Sequence, residues 1–235
     1  MGKTAVLILA AGQGKRFGGD IPKQFLNLQG KALWRLSLEA FLPFADEIVI
    51  VTDEAHLAMI RDEAAGAAVT LGGASRAESV LKGLRFLAAL PEPPETVLIH
   101  DAARCLVTPG IIASCLREAR ASGAAIAAIP ATDTIKTAAF SEEEEALPVI
   151  LDTPDRRTLY QAQTPQGFAF PLILEAYSEA ERAGALASLT DDASAVERFT
   201  KHRVLLTPGS PENIKVTRPL DLAFAESILH FRISK

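Results

Sequence analysis

Apolar residues follow two spacings along most of the chain, and the two alternate. Continuous runs of small and branched apolar residues, AVLIL (5–9), EIVIVT (47–52), AAVTL (67–71), TVLIH (96–100) and AAIAAIP (124–130), have the character of strands buried on both faces. Between them apolar positions recur at helical spacing in ALWRLSLEAFLPF (32–44), over 54–65, in SRAESVLKGLRFLAAL from Ser75 and over 109–121, which predicts amphipathic helices. Strand–helix alternation with short connections predicts an α/β fold, a Rossmann-like and mostly parallel sheet with helices on both faces.

After Pro130 the rhythm changes. TDTIKTA (132–138) alternates polar and apolar, as a half-exposed strand would. FSEEEEALPVILDTPDRRTLY follows, with an acidic run and no helical period. Residues 138–160 therefore read as an extended, hairpin-like β-arm with Glu142–Glu145 as its solvated tip. Such an arm is longer than a connection within a compact domain needs, and long excursions of this kind are usually functional. Beyond it come QAQTPQGF, a helix over 171–183, TDDASAVERF (190–199), the strand RVLLTP, the segment NIKVTRP and a helix from Leu220. No solenoid-type repeat is present, so residues 1–235 are expected to form a single domain carrying the arm.

Charge and composition narrow the function. A formal net charge of −5 gives a nucleic-acid partner no electrostatic support, so any basic groups that matter must be local. Cys105 and Cys115 make neither a CxxC pair nor a zinc spacing, and the four histidines, His56, His100, His202 and His230, are scattered. The first residues run from Lys3 straight into a strand, and no apolar run is long enough to span a bilayer. A cytoplasmic protein with no membrane partner is the expectation.

In open α/β folds ligands bind beyond the carboxyl ends of the strands. After the first strand this chain reads LAAGQGKRFGGDIPKQF (9–25), placing Gly12, Gly14, Lys15, Arg16 and Lys23 there. After the third come Gly72, Gly73, Ser75 and Arg76, with Ser79 a turn later; after the fourth come Asp101 and Arg104. Thr132, Asp133 and Thr134 follow the fifth, and Lys215 lies in the late NIKVTRP segment. Cations, glycine-freed main-chain NH groups, hydroxyls and a carboxylate at one edge suit a polyphosphate beside a second polar substrate. A lone lysine or arginine among these would be an ordinary surface charge; their convergence argues otherwise. GxxxxGK[ST], GxGxxG and GxSxG are all absent, which argues against a P-loop, the dinucleotide fingerprint and a serine-hydrolase elbow.

LAAGQGKRFGG followed by PKQF, then GGASRAESV, HDAAR, TDTIK, DTPDRRTLYQAQTPQGF, TDDASAVE and NIKVTRPLDLAFAE, resembles the methylerythritol phosphate cytidylyltransferase family of isoprenoid biosynthesis. The segments run in the family's order over nearly the whole chain. The resemblance implies that CTP and 2-C-methyl-D-erythritol 4-phosphate give the diphosphocytidyl alditol and pyrophosphate. It also implies Mg2+ held mainly by CTP phosphates, with no protein metal ligand. By similarity Arg16, Lys23, Arg156 and Lys215 are the catalytic set. Ala10, Ala11, Gly12, Gly14, Gly72, Gly73 and Ser79 match the CTP side. Asp101, Ala102, Arg104, Thr134 and Thr164 match the alditol-phosphate side. In the family the arm crosses to a two-fold-related subunit, which implies a homodimer through 138–160 with Arg156 serving the neighbouring site. Two positions depart from the common pattern: Lys15 before Arg16, and Cys105 where proline often follows DAAR. The alternatives are a ribitol-5-phosphate cytidylyltransferase, differing in the pocket around Thr134, Arg156 and Thr164, and a non-catalytic nucleotide-binding protein. The latter predicts erosion of Arg16, Lys23, Arg156 and Lys215, all of which are present.

Overall fold

The computed structural model describes residues 2–12, 22–139 and 147–234, including all of their side chains except those of Lys23 and Ile233. The chain opens with β1 (Thr4–Leu9), a two-residue-per-strand hairpin of β2 (Asn27–Leu28) and β3 (Lys31–Ala32), α1 (Leu33–Phe41) and β4 (Glu47–Thr52). Then come α2 (Leu57–Glu63), β5 (Ala68–Leu71), α3 (Arg76–Ala88), β6 (Thr96–Asp101), α4 (Pro109–Ser122) and β7 (Ala124–Pro130). A separate hairpin of β8 (Thr137–Ala139) and β9 (Val149–Asp152) precedes β10 (Tyr160–Ala169), α5 (Phe170–Arg182), α6 (Asp192–Phe199), β11 (Leu205–Pro208) and α7 (Pro219–Ile233). The acidic tip expected at Glu142–Glu145 lies outside the described residues.

Seven strands form one sheet in the order β11-β7-β10-β6-β1-β4-β5. Every neighbouring pair is parallel except those made by β10, which runs antiparallel to both β6 and β7. The continuous apolar runs are explained by what lies on the two faces. Leu7, Val49, Val97 and Ile99 point into a core built with α3, α5 and α6. Their neighbours Val6, Ile8, Ile48, Ile50 and Leu98 point into a second core with α1 and α4. A third cluster seats α7 through Ala225 against Leu28, Leu33, Leu106 and Val216.

From β1 the chain steps outward to β4 and β5, then returns to lay β6 on the other side of β1. The gap between the β1 and β6 carboxyl ends is therefore the switch point, with Leu9 paired to Asp101 at its lip.

Two regions differ from the expectation. Residues 132–136 are exposed and not in a strand; the strand that TDTIKTA does contribute to is the short β8, outside the main sheet, where β9 supplies its antiparallel partner. QAQTPQGF, which has no strand pattern, lies in β10, an interior strand between β7 and β6. Its register shifts between Ala162 and Gln166, and this bulge accommodates Pro165, which has no NH to give to a ladder. At Gly167 the strand passes so close to α4 that an added Cβ would sit 2.9 Å from Ala119 Cβ and 2.8 Å from Leu98 Cδ2.

His100, second-last residue of β6, is fully buried, its ring 4.7 Å from that of Phe41 and its Nδ1 3.0 Å from the Thr164 hydroxyl. Burial pushes its pKa down to about 3, so it is neutral in the fold. The unfolded chain takes up this proton near pH 6.5 and the folded chain does not, so stability falls as pH drops from about 6.5 toward 3. This group alone is expected to contribute a slope of about 1.4 kcal/mol per pH unit. Urea unfolding of the parent and of His100→Asn at pH 7 and pH 5 checks this: the loss on acidification should be smaller in the variant, and equal losses would contradict it.

Candidate active site

Asp101 ends β6 at the switch point, buried but for an edge. Its Oδ1 accepts from Arg76 Nε at 3.1 Å and its Oδ2 from Lys215 Nζ at 2.6 Å. Its main-chain NH donates to Thr164 Oγ1 at 3.1 Å. Burial alone would raise this carboxyl, but Arg76, Lys215 and Arg104 outweigh it and hold it well below the usual carboxylate range.

Arg76 reaches Asp101 from the first turn of α3 because its other edge is anchored. Nη1 and Nη2 form a bidentate pair with Asp192 at 2.9 and 2.8 Å, and Asp192 also accepts from the Tyr177 hydroxyl at 2.6 Å. Burial alone would lower the Arg76 pKa, but Asp192 and Asp101 raise it well above its ordinary value. The DD doublet divides two tasks. Asp191 caps α6 by accepting from the Ser194 NH, which leaves Asp192 for the guanidinium. Gln166 on β10 holds that helix start in place, accepting from the NH groups of Asp192 and Ala193 and donating to Asp191.

The glycine segments meet on the other side of β1. An added Cβ on Gly72 would lie 2.6 Å from Ala11 Cβ and 2.8 Å from Ser79 Oγ, so only glycine lets these two turns touch. The Gly73 NH donates to Ser79 Oγ, and Ser79 donates to the Ser75 carbonyl. An added Cβ on Gly12 would meet no described residue within 4 Å. Gln24 spans the two ends of the opening loop, its amide donating to the carbonyls of Ala10 at 2.7 Å and Gly12 at 3.0 Å. The residue after Lys23 is thereby fastened to the end of β1, which accounts for the glutamine in PKQF.

Of the residues singled out in the sequence, Asp101, Arg104, Thr164 and Lys215 come together where the end of β6 meets the bulge of β10. Ala102 continues β6 by donating its NH to the Leu9 carbonyl and accepting from the Ser37 hydroxyl. Arg104 lies against the main chain of two other segments, donating to the carbonyls of Asn213 at 2.7 Å and Ala162 at 3.3 Å. Thr134 and Arg156 are exposed at the base of the arm, where Arg156 Nη1 donates to the Thr132 carbonyl at 2.7 Å. Gly14, Lys15 and Arg16 lie outside the described residues, as does the side chain of Lys23. Cys105 is buried as a small apolar filler, with burial pushing its thiol up to about 12. Sequence reasoning gave no task to Asp192, Gln24, Gln163, Gln166 or Asn213. Most of their partners lie in other segments; all five fall within the motifs quoted above, but only TDDAS carried a local chemical signal, an acidic doublet at a helix start.

Among the described residues, no set of three or more His, Cys, Asp and Glu side chains is arranged to hold a cation. Both Asp101 oxygens are already engaged by cationic side chains. A divalent ion here would take most of its ligands from substrate oxygens and water, as Mg2+ prefers. No helix among the described residues is long and apolar enough to cross a membrane.

Comparison with known proteins agrees with this arrangement. The sequence model of the 2-C-methyl-D-erythritol 4-phosphate cytidylyltransferase (IspD) family matches residues 4–231. The enzyme of that name from Parasynechococcus marenigrum is 42% identical over 233 residues, 97% of this chain and 98% of its own. The crystal structure of the Thermus thermophilus cytidylyltransferase superposes with a TM-score of 0.75 at 33% identity, covering 97% of this chain and 99% of that one. The Francisella tularensis enzyme gives a TM-score of 0.78 at 27% identity over 96% of this chain and 99% of its own. With its sequence matched from the first strand to the last helix and its sheet shared with these enzymes, the chain belongs to the 2-C-methyl-D-erythritol 4-phosphate cytidylyltransferase family.

Proposed function

We propose that the chain joins CTP to 2-C-methyl-D-erythritol 4-phosphate. An oxygen of the alditol phosphate attacks the α-phosphorus of CTP, the bond to the β-phosphate breaks, and pyrophosphate leaves. The observation that carries the reading is the Asp101 clamp: three cationic side chains are drawn around one carboxylate at the switch point, beside two glycine turns that touch. Chemistry of this kind needs positioning and neutralisation of charge more than a protein nucleophile. Gly72, Gly73 and Ser79, with Ala10, Ala11, Gly12 and Gly14, form the CTP side in this reading. Asp101, Ala102, Arg104, Thr134 and Thr164 form the alditol-phosphate side. Arg16, Lys23 and Lys215 supply positive charge to the transferring phosphates. A Mg2+ ion, if bound with the CTP phosphates, would add charge neutralisation there, with Arg16, Lys23 and Lys215 as the protein's own cations.

Arg156 completes the set from a second copy. In support of a homodimer, the arm is apolar and uncovered: Leu147 is 85% exposed and Val149, Ile150 and Leu151 are all at least 60% exposed. A short hairpin with exposed apolar residues invites a partner, and two-fold pairing is the commonest way to provide one. Arg156 is exposed in the same segment, donating to the Thr132 carbonyl, and in this reading it serves the neighbour's site.

Pyrophosphate release from CTP tests the reaction, with methylerythritol phosphate and ribitol 5-phosphate supplied in turn. Turnover with the first is expected. Turnover confined to ribitol 5-phosphate would move the assignment to the other alditol, and turnover with neither would overturn it. Removing one fixed charge from a preorganised site costs about 3–4 kcal/mol in the barrier. Arg16→Ala and Lys23→Ala should each therefore lower kcat roughly a hundred- to a thousandfold at unchanged unfolding midpoint. Near-parental turnover in either would remove that residue from the mechanism.

The shared site is tested by mixing inactive Arg156→Ala and Lys23→Ala subunits. A mixed dimer holds one site with both parental residues, so about a quarter of parental activity per site pair is expected at full statistical exchange. Heterodimers that form and stay inactive would show that Arg156 does not serve the neighbouring site.

A further inference from the structure

Lys215 lies in a stretch without regular secondary structure between β11 and α7, yet its ammonium sits 2.6 Å from Asp101. A flexible lysine keeps such a position only when the backbone beneath it is fixed. We propose that Asn213, braced by Gln163, is the positioning residue of the alditol-phosphate half of the site, tying together the three segments that carry Arg104, Thr164 and Lys215. The inference rests on the assignment of that half given above.

Asn213 is fully buried. Its Nδ2 donates to the Thr164 carbonyl at 3.0 Å and to Gln163 Oε1 at 3.2 Å, and its main-chain carbonyl accepts from Arg104 Nη1 at 2.7 Å. Gln163 in turn grips Ser210, donating to its carbonyl at 2.8 Å and accepting from its NH at 3.2 Å. The main-chain partners fix which way each amide points, since a carbonyl can only accept and an NH only donate. Gly209 closes the contact: an added Cβ there would fall 2.5 Å from Gln163 Oε1 and 3.1 Å from the Ala128 carbonyl. On the far side of Lys215, Val216 is buried in the cluster beneath α7 and donates its NH to the Ala103 carbonyl at 2.8 Å. Lys215 is thus held between two buried anchors, with Asn213 linked directly to the residues whose side chains flank it. The Thr164 carbonyl belongs to the residue whose hydroxyl accepts from the Asp101 NH. The turns carrying Gly72, Gly73 and Ser79 share none of these bonds, so a fault at Asn213 should be felt by one substrate and not the other.

Asn213→Ala and the milder Asn213→Ser, which keeps one donor, test this in the full chain. Amide hydrogen exchange across residues 209–216 needs no substrate and should quicken in both. With each substrate varied separately, kcat/KM for the alditol phosphate should fall roughly ten- to a hundredfold while KM for CTP stays within about twofold. In a Lys215→Ala background, Asn213→Ala should cause little further loss, because it acts through that lysine. Unchanged exchange, equal losses for the two substrates, or losses that multiply fully with Lys215→Ala would each overturn the inference. A parental enzyme inactive on every alditol phosphate strikes instead at the functional assignment, and the exchange measurement then decides the positioning role alone.

Discussion

The site depends on one buried negative charge. Asp101 stays ionised at the end of a buried strand because Arg76 and Lys215 each hold one of its oxygens, and those cations stay in place because Asp101 is there. A buried carboxylate lacking such partners would be expensive, and removing one partner of the set would strand the others. The arrangement does more than satisfy Asp101. It gathers positive charge from α3, from the loop before α7 and from the turn after β6 at the point where the chain reverses its path through the sheet.

Each arm of this clamp is secured by polar groups beneath it. Arg76 is held by Asp192, which Gln166 and Tyr177 fix in turn. Lys215 is braced by a loop that Gln163 and Asn213 fasten to β10. Both supports originate on β10, which runs antiparallel to its neighbours in the central sheet, and its bulge sends Gln163 and Gln166 toward opposite supports. A strand that spends its side chains on such bonds has few left to pack as an apolar ladder, and this is why QAQTPQGF carries no strand pattern.

That contrast decides what the sequence discloses. Strands such as AVLIL are legible because both faces are buried, which demands unbroken apolar residues. The glycine turns are legible because close approach at Gly72 admits no side chain. TDTIKTA misleads because alternation there reflects an exposed stretch leading into the arm, not a half-buried strand. The ion pair of Arg76 with Asp192 joins residues 116 positions apart, and nothing local in either segment announces the other. Chemistry-bearing residues were visible as types at strand ends; the supports that aim them became visible only once β10 was placed between β6 and β7.

The organisation of the site turns on Asp101 being an anion that draws the cations around it. Carbon-13 NMR of the aspartate carboxyl groups, with Asp101 assigned through an Asp101→Asn variant, measures its titration directly. The clamp predicts that this resonance stays in its ionised position down to the lowest pH at which the protein remains folded. A midpoint near the ordinary aspartate value of about 3.9 would show that Arg76 and Lys215 do not hold it, and the clamp would cease to explain the site.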